Sequence, residues 1–218
     1  MDNMKKYLLF DLDGTLTDSG EGIINSVIYA LNSYGIHTED RKSLESFIGP
    51  PLADSFMKYY GFDEFQAKEA VSRYREYFSV KGLFENRVYP GIPQMLQTLR
   101  EKGFVLMVAT SKPEEYTSRI LEHFDLTKYF DFLGGATMDG TRAKKADVIR
   151  YVLETTGLIN NLEQVTMIGD RRDDILGARA NGIRSIGVLY GFGTREELET
   201  AGADKIAETV ENIIEQAD

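Results

Sequence analysis

The chain has 218 residues, 42% of them hydrophobic, with 35 Asp and Glu against 25 Lys and Arg, a formal net charge of −10 and no cysteine. So acidic a balance argues against a nucleic-acid backbone or an anionic membrane as the main partner, and the missing cysteine removes disulfides, thiolate metal ligands and a thiol nucleophile. The apolar content is enough for one or two domains with a sizeable core, and no apolar run approaches the length of a membrane span.

The first apolar run, "YLLF" at 7–10, reads as a buried strand that ends directly on two carboxylates, Asp11 and Asp13. A buried charge costs several kcal/mol unless it is paired or binds a metal, so this placement predicts a site. Three helical patterns follow between residues 18 and 86: "EGIINSVIYALNSYG", "KSLESFIGPPLADSFMKYYG" with a break at Gly49-Pro50-Pro51, and "FQAKEAVSRYREYFSVKG". No convincing strand interrupts them, which predicts a small all-helical domain at 17–86 inserted into a larger one formed by 1–16 and 87–218. The return seam is expected at "ENRVYPGIPQML", where Pro90 and Gly91 break structure. The aromatic run Phe56, Tyr59, Tyr60, Phe62 and Phe65, with Tyr74, Tyr77 and Phe78, is expected to pack the helices of the insert.

Beyond the seam, apolar runs at 104–109, 165–168 and 185–189 alternate with amphipathic segments, with weaker strand candidates at 129–135 and 204–207. Pro113 is expected in the first turn of the helix after "FVLMVATSK". The alternation predicts an α/β fold, a mostly parallel Rossmann-like sheet flanked by helices. In such sheets ligands bind beyond the carboxyl ends of the strands. The residues that leave those ends are Asp11 and Asp13, then Thr110 and Ser111, then Gly169-Asp170 with Asp173 and Asp174 close behind. Clustered carboxylates without sulfur suit a hard cation such as Mg²⁺, and Lys144 or Lys145, opening the helix at "KKADVI", can offset their charge and hold a phosphate. His37 and His123 lack partners at ligand spacing and are expected at the periphery, Asp18 and Asp147 are expected to serve turns and caps, and "YGFGT" at 190–194 is expected as a loop near the site.

"DLDGTLTDS", "VATSK", the helix-opening lysine and "IGDRRDDILGA" resemble, in order, the four motifs of the haloacid dehalogenase superfamily, and the helical insert resembles its C1-type cap. The likeness is greatest to its phosphoglycolate phosphatase-like and 5′-nucleotidase-like branch. The resemblance implies Asp11 as nucleophile, Asp13 as general acid and base, Thr110 and Lys145 as further catalytic residues, and Gly14, Ser111 and Gly49 on the substrate side. It implies Mg²⁺ held by Asp11, Asp13 through its carbonyl, Asp170 and Asp174. The preference for Lys145 over Lys144 rests on distance from "DVI", and that for Asp174 over Asp173 on spacing from Asp170.

The expected function is that of a cytoplasmic Mg²⁺-dependent phosphatase acting through an aspartyl-phosphate on a small phosphorylated metabolite, phosphoglycolate-like or a nucleoside 5′-monophosphate. Neither nucleic acid nor membrane is expected as a partner, and either a monomer or a homodimer is compatible with the chain. The alternatives are a phosphomutase of the β-phosphoglucomutase type, a pyrophosphatase, and a phosphate-responsive binding module without turnover. Asp13 weakens the last, since a pure binder needs no second carboxylate.

Overall fold

The computed structural model describes residues 6–217 and divides into two compact units, residues 1–17 with 88–218, and residues 18–87. In the larger unit, strands β1 (Tyr7–Phe10), β4 (Val105–Pro113), β5 (Phe132–Ala136), β6 (Val165–Gly169), β7 (Arg184–Val188) and β8 (Lys205–Ala207) form one six-stranded sheet in the order β5-β4-β1-β6-β7-β8. Every pairing in it is parallel. Helices α4 (Ile92–Glu101), α5 (Glu114–His123), α6 (Lys145–Thr155), α7 (Arg172–Ala180), α8 (Arg195–Ala201) and α9 (Asn212–Ala217) accompany these strands in the chain order of crossover connections. The central strand β1 hides Leu8, Leu9 and Phe10 almost completely, as a strand covered on both faces must. On one side Leu9, Met107, Ala109 and Met167 pack with Val148, Ile149, Val152 and Leu153 of α6, so the helix opened by Lys145 is seated against the strands whose ends carry the carboxylates. A smaller cluster joins Ile175 of α7 to Leu198 and Ala201 of α8.

Strand β4 departs from expectation. It runs on through Thr110, Ser111 and Lys112 to Pro113, which pairs with Ala136 after a shift in register, and α5 begins only at Glu114. Pro113 therefore sits at the helix N-cap with ψ 137, not in the first turn. A residue before proline is pushed toward the extended region, which carries Lys112 onward as strand. Strand β5 starts later than the aromatic run suggests, because Thr127–Tyr129 forms a 3₁₀ turn.

The smaller unit is helical, with α1 (Gly20–Asn32), a 3₁₀ turn at Ser43–Phe47, α2 (Leu52–Tyr60), α3 (Glu64–Tyr77) and a π turn at Phe78–Gly82. Short strands β2 (Thr17–Asp18) and β3 (Arg87–Val88) pair where the chain leaves and returns. Helix α3 opens with a capping box in which the Asp63 carboxylate accepts from Gln66 N–H and the Gln66 side chain accepts from Asp63 N–H. Phe47, Phe56 and Phe62 pack ring on ring, with centroids 5.0 Å apart for the first pair and 5.8 Å for the second. Phe65, expected among them, is 78% exposed, and Tyr59 is 45% exposed. No helix of the described chain is long and apolar enough to cross a membrane.

Candidate active site

The ends of four adjacent strands, β4, β1, β6 and β7, bring the charged residues of the larger unit together. Asp11 and Asp13 leave β1, and the main chain there is fixed because Asp11 N–H donates to Ile168 O at 2.9 Å and Gly14 N–H donates to Thr17 O at 2.8 Å. Asp170 leaves β6, and Asp174 lies one turn into α7. The carboxylates of Asp11, Asp170 and Asp174 approach so closely that one oxygen from each falls within 4.8 Å of the others, and all three are buried.

One ammonium serves two of them. Lys145 Nζ lies 2.7 Å from Asp11 Oδ1 and 2.7 Å from Asp174 Oδ1, and donates to Ala109 O at 3.1 Å, so three acceptors match its three protons. Lys144 is exposed at the N-cap of α6 and Asp173 is half-buried, which leaves Lys145 and Asp174 as the members of each pair that enter the cluster. Asp174 Oδ2 also accepts from Arg171 N–H at 3.0 Å, closing the first turn of α7. On Asp11, the bonds from Lys145 and from Leu12 N–H both fall on Oδ1.

Asp13 is held by a residue that sequence reasoning did not single out. Lys112 Nζ lies 2.9 Å from Asp13 Oδ2, with both side chains nearly buried. The signal lay in "TSK": β4 extends through Pro113, and Thr110 and Lys112 are buried on either side of the half-buried Ser111. Thr110 is buried and its hydroxyl accepts from Lys112 N–H at 3.3 Å, while Ser111 between them is half-buried.

Asp170 is fully buried. Its Oδ2 accepts from Phe192 N–H at 2.8 Å and its Oδ1 from the Thr15 hydroxyl at 3.4 Å. The "YGFGT" loop thus touches the cluster through a backbone donor, which a search for charged side chains misses. The loop is tied down in turn by Tyr190, whose hydroxyl donates to Thr15 O at 2.9 Å and whose ring meets Tyr89 edge-on. Gly14 has φ 80, and a side chain there would collide with the Asp170 carboxylate. Gly49 belongs to the helical unit, with φ 104 at the break before α2, and His37 and His123 are exposed.

Four buried carboxylates face two buried ammoniums, so the cluster carries surplus negative charge. Its effects are visible in proton affinity. Burial, then the charges of Asp174 and Asp11, raise the Asp170 carboxyl well above the ordinary range. Burial pushes Asp174 up to about 7 against the opposing pull of Lys145. For Lys145, burial favours the neutral amine, but Asp11 and Asp174 outweigh it and hold the ammonium above its usual pKa. Buried carboxylates set so close together repel one another and favour a positive partner. An all-oxygen donor set of three buried carboxylates fits a hard divalent ion.

Residues 8–188 match the family model described as haloacid dehalogenase-like hydrolase. The chain belongs to this family. Among haloacid dehalogenase-like relatives, it is 52% identical over 191 residues to a protein of Pseudomonas aeruginosa named 5′-nucleotidase, covering 88% of this chain and 86% of that protein. It is 26% identical over 221 residues to the phosphoglycolate phosphatase of Vibrio parahaemolyticus, covering 96% of this chain and 95% of that one. Of solved structures, a predicted phosphatase from Clostridium acetobutylicum superposes with TM-score 0.94 at 50% identity, covering 98% of each chain. The family's mostly parallel, helix-flanked sheet is the fold seen here, and the chain is an enzyme of the family's phosphatase class, a phosphoric monoester hydrolase.

Proposed function

We propose that the protein is a Mg²⁺-dependent phosphatase that hydrolyses a small phosphorylated metabolite through an aspartyl-phosphate on Asp11. The observation that carries this reading is the cluster of Asp11, Asp170 and Asp174 at the sheet's carboxyl edge, with the Lys145 ammonium bound to the first and third. Asp11, Asp170 and Asp174, with the main-chain carbonyl of Asp13, would hold the metal, which when bound supplies positive charge to the phosphoryl oxygens.

Asp11 keeps Oδ2 for attack, since its bonds to Lys145 and Leu12 both use Oδ1. As its oxygen bonds to phosphorus, the bond to the leaving alcohol breaks and Asp13 gives that alcohol its proton. Asp13 then takes a proton from water as the water attacks phosphorus, which releases orthophosphate and restores the Asp11 carboxylate. Lys145 offsets the charge on Asp11 and on the transferring group, and Thr110 and Ser111 receive the phosphate oxygens with Gly14 close by. Lys145 is the motif lysine and Asp174 the second acidic ligand of its motif.

Within the same proposal, residues 18–87 act as a cap whose Gly49 loop meets the substrate and excludes water during turnover. Among the candidate substrates a nucleoside 5′-monophosphate is favoured over a phosphoglycolate-like one, because the P. aeruginosa relative at 52% identity carries the name 5′-nucleotidase. A free metabolite and a chain without cysteine suit the cytoplasm, with neither nucleic acid nor membrane as partner, in a monomer or homodimer.

The test replaces Asp11 by Asn. Wild-type protein with Mg²⁺ is expected to release phosphate from p-nitrophenyl phosphate and from at least one nucleoside monophosphate, and to lose this activity in EDTA. Acid quenching during turnover should trap labelled phosphate on the chain that hydroxylamine removes. Phosphate release undiminished in a folded Asp11→Asn variant would refute the proposal.

A further inference from the structure

We propose that Lys112 is the positioning residue for Asp13, fixing one carboxylate oxygen so that the other is presented as the proton carrier. The inference rests on the acid and base role proposed above for Asp13. It is carried by an asymmetry between the two oxygens. Oδ2 meets the Lys112 ammonium at 2.9 Å, whereas Oδ1 is buried and finds no hydrogen-bond donor among the described residues. An unpartnered buried carboxylate oxygen is costly in a folded chain and is retained where it has work to do. An acid that must pass a proton to a leaving group needs one oxygen uncommitted and the whole side chain held still. Tied at both oxygens it has no site from which to donate, and tied at neither it tilts out of line.

Lys112 is itself held. Its main-chain N–H donates to Thr110 Oγ1 at 3.3 Å, its carbonyl packs so close to Gly135 that a side chain at 135 would press against it, and Pro113 fixes the next residue. Two residues on, Glu114 Oε1 accepts from Arg142 at 2.6 Å and from Gly135 N–H at 3.3 Å. The Arg142 Nε donates to Gly135 O at 2.8 Å, and its guanidinium lies 3.6 Å over the Tyr151 ring. The strand end that bears Lys112 is thus clamped to β5 and to α6, and the lysine emerges from a rigid base with its ammonium on Asp13. That arrangement suits a fixed strut better than a mobile arm that seeks substrate.

The experiment measures kcat/KM, which reports on the phosphoryl-transfer step, for a series of similarly sized aryl phosphates whose leaving phenols span a wide pKa range. Holoenzyme with Mg²⁺ is used throughout. An acid that protonates the leaving oxygen matters most when that oxygen is a poor leaving group. Replacing Lys112 by Met is expected to lower kcat/KM for phenyl phosphate about ten- to a hundredfold and for 2,4-dinitrophenyl phosphate less than about threefold, within the range that acid catalysis contributes. In an Asp13→Asn background, adding Lys112→Met should steepen the dependence no further. Thermal melts verify folding, and Lys112→Gln, which keeps a polar head, serves in place of the Met variant if that one is unfolded.

A loss of equal size across the whole series, or a loss that persists undiminished in the Asp13→Asn background, would overturn the proposal and make Lys112 a substrate contact or a packing element. The two levels separate cleanly. If Asp13→Asn alone leaves the leaving-group dependence unchanged, the acid role of Asp13 fails; if it steepens the dependence while Lys112→Met does not, only the role of Lys112 fails.

Discussion

Lys145 sets the electrostatics of the cluster, because a single ammonium neutralises charge on Asp11 and Asp174 while its third proton is taken by Ala109 O. Replacing it by Met removes that charge and leaves buried carboxylates unmatched, a change expected to cost about 3–5 kcal/mol of stability. A thermal melt at neutral pH should show the drop, and added Mg²⁺ should recover part of it. Turnover in the same variant is expected to fall by roughly two to three orders of magnitude even at saturating Mg²⁺, as for loss of a preorganised charge in a closed site. Gly14→Ala tests the cradle around Asp170 differently: the methyl meets the Asp170 carboxylate and φ 80 is unfavourable for alanine. The expected result is a large rise in the Mg²⁺ concentration needed for half-maximal activity, read by metal titration. Residues of this kind were legible in the sequence because aspartates and a lysine at strand and helix ends have few other reasons to be buried. Lys112 was not singled out, since its importance depends on how far β4 extends, and the Phe192 N–H was invisible because every residue but proline carries one.

At the scale of elements, the strands of the sheet announced themselves by short apolar runs, and their order of connection follows from parallel pairing with helical crossovers. Their ends were less legible. The proline after "TSK" reads equally well as a helix start or as a residue that keeps its predecessor extended, and only the pairing of Pro113 with Ala136 decides. The aromatic run of the helical unit misled at Phe65, which follows the capping residue Asp63 closely and points to solvent, while Phe56 and Phe62 stack. Two glycines brace that unit: a methyl at Gly22 would run into the carbonyl of Gly82, which binds α1 to the π turn at Phe78–Gly82. Gly22→Ala is therefore expected to destabilise by roughly 1–3 kcal/mol through overpacking, with limited proteolysis cutting near residues 78–88 before it cuts the sheet.

For the whole molecule, the buried carboxylates couple folding to pH and to metal. The ordinary carboxyl value is 3.8, and Asp174 is raised to about 7 with Asp170 raised well above the ordinary range. Below about pH 4 both folded and unfolded chains carry these protons, so no penalty arises. From there upward the folded chain keeps protons that the unfolded chain has released, so stability falls as pH rises, through about 7 for Asp174 and for as long as the folded chain keeps the Asp170 proton. In EDTA the contribution of these two groups should thus make the protein more stable near pH 5 than near pH 8. Saturating Mg²⁺, by binding the ionised forms, should flatten that slope, and denaturant titrations across pH with and without the metal measure both effects.

The chain passes between its two units at residues 17/18 and 87/88, and the clustered aspartates, both buried lysines and Thr110 all fall within residues 1–17 and 88–218. On the proposed reading, the residues of the reaction and the helical segment are therefore separable cassettes. A chimera that keeps this catalytic body and accepts the insert of a distant relative should still cleave p-nitrophenyl phosphate while its ranking of natural metabolites moves toward that of the donor. Diversification of diet without reinvention of chemistry is what such a two-crossing connection permits.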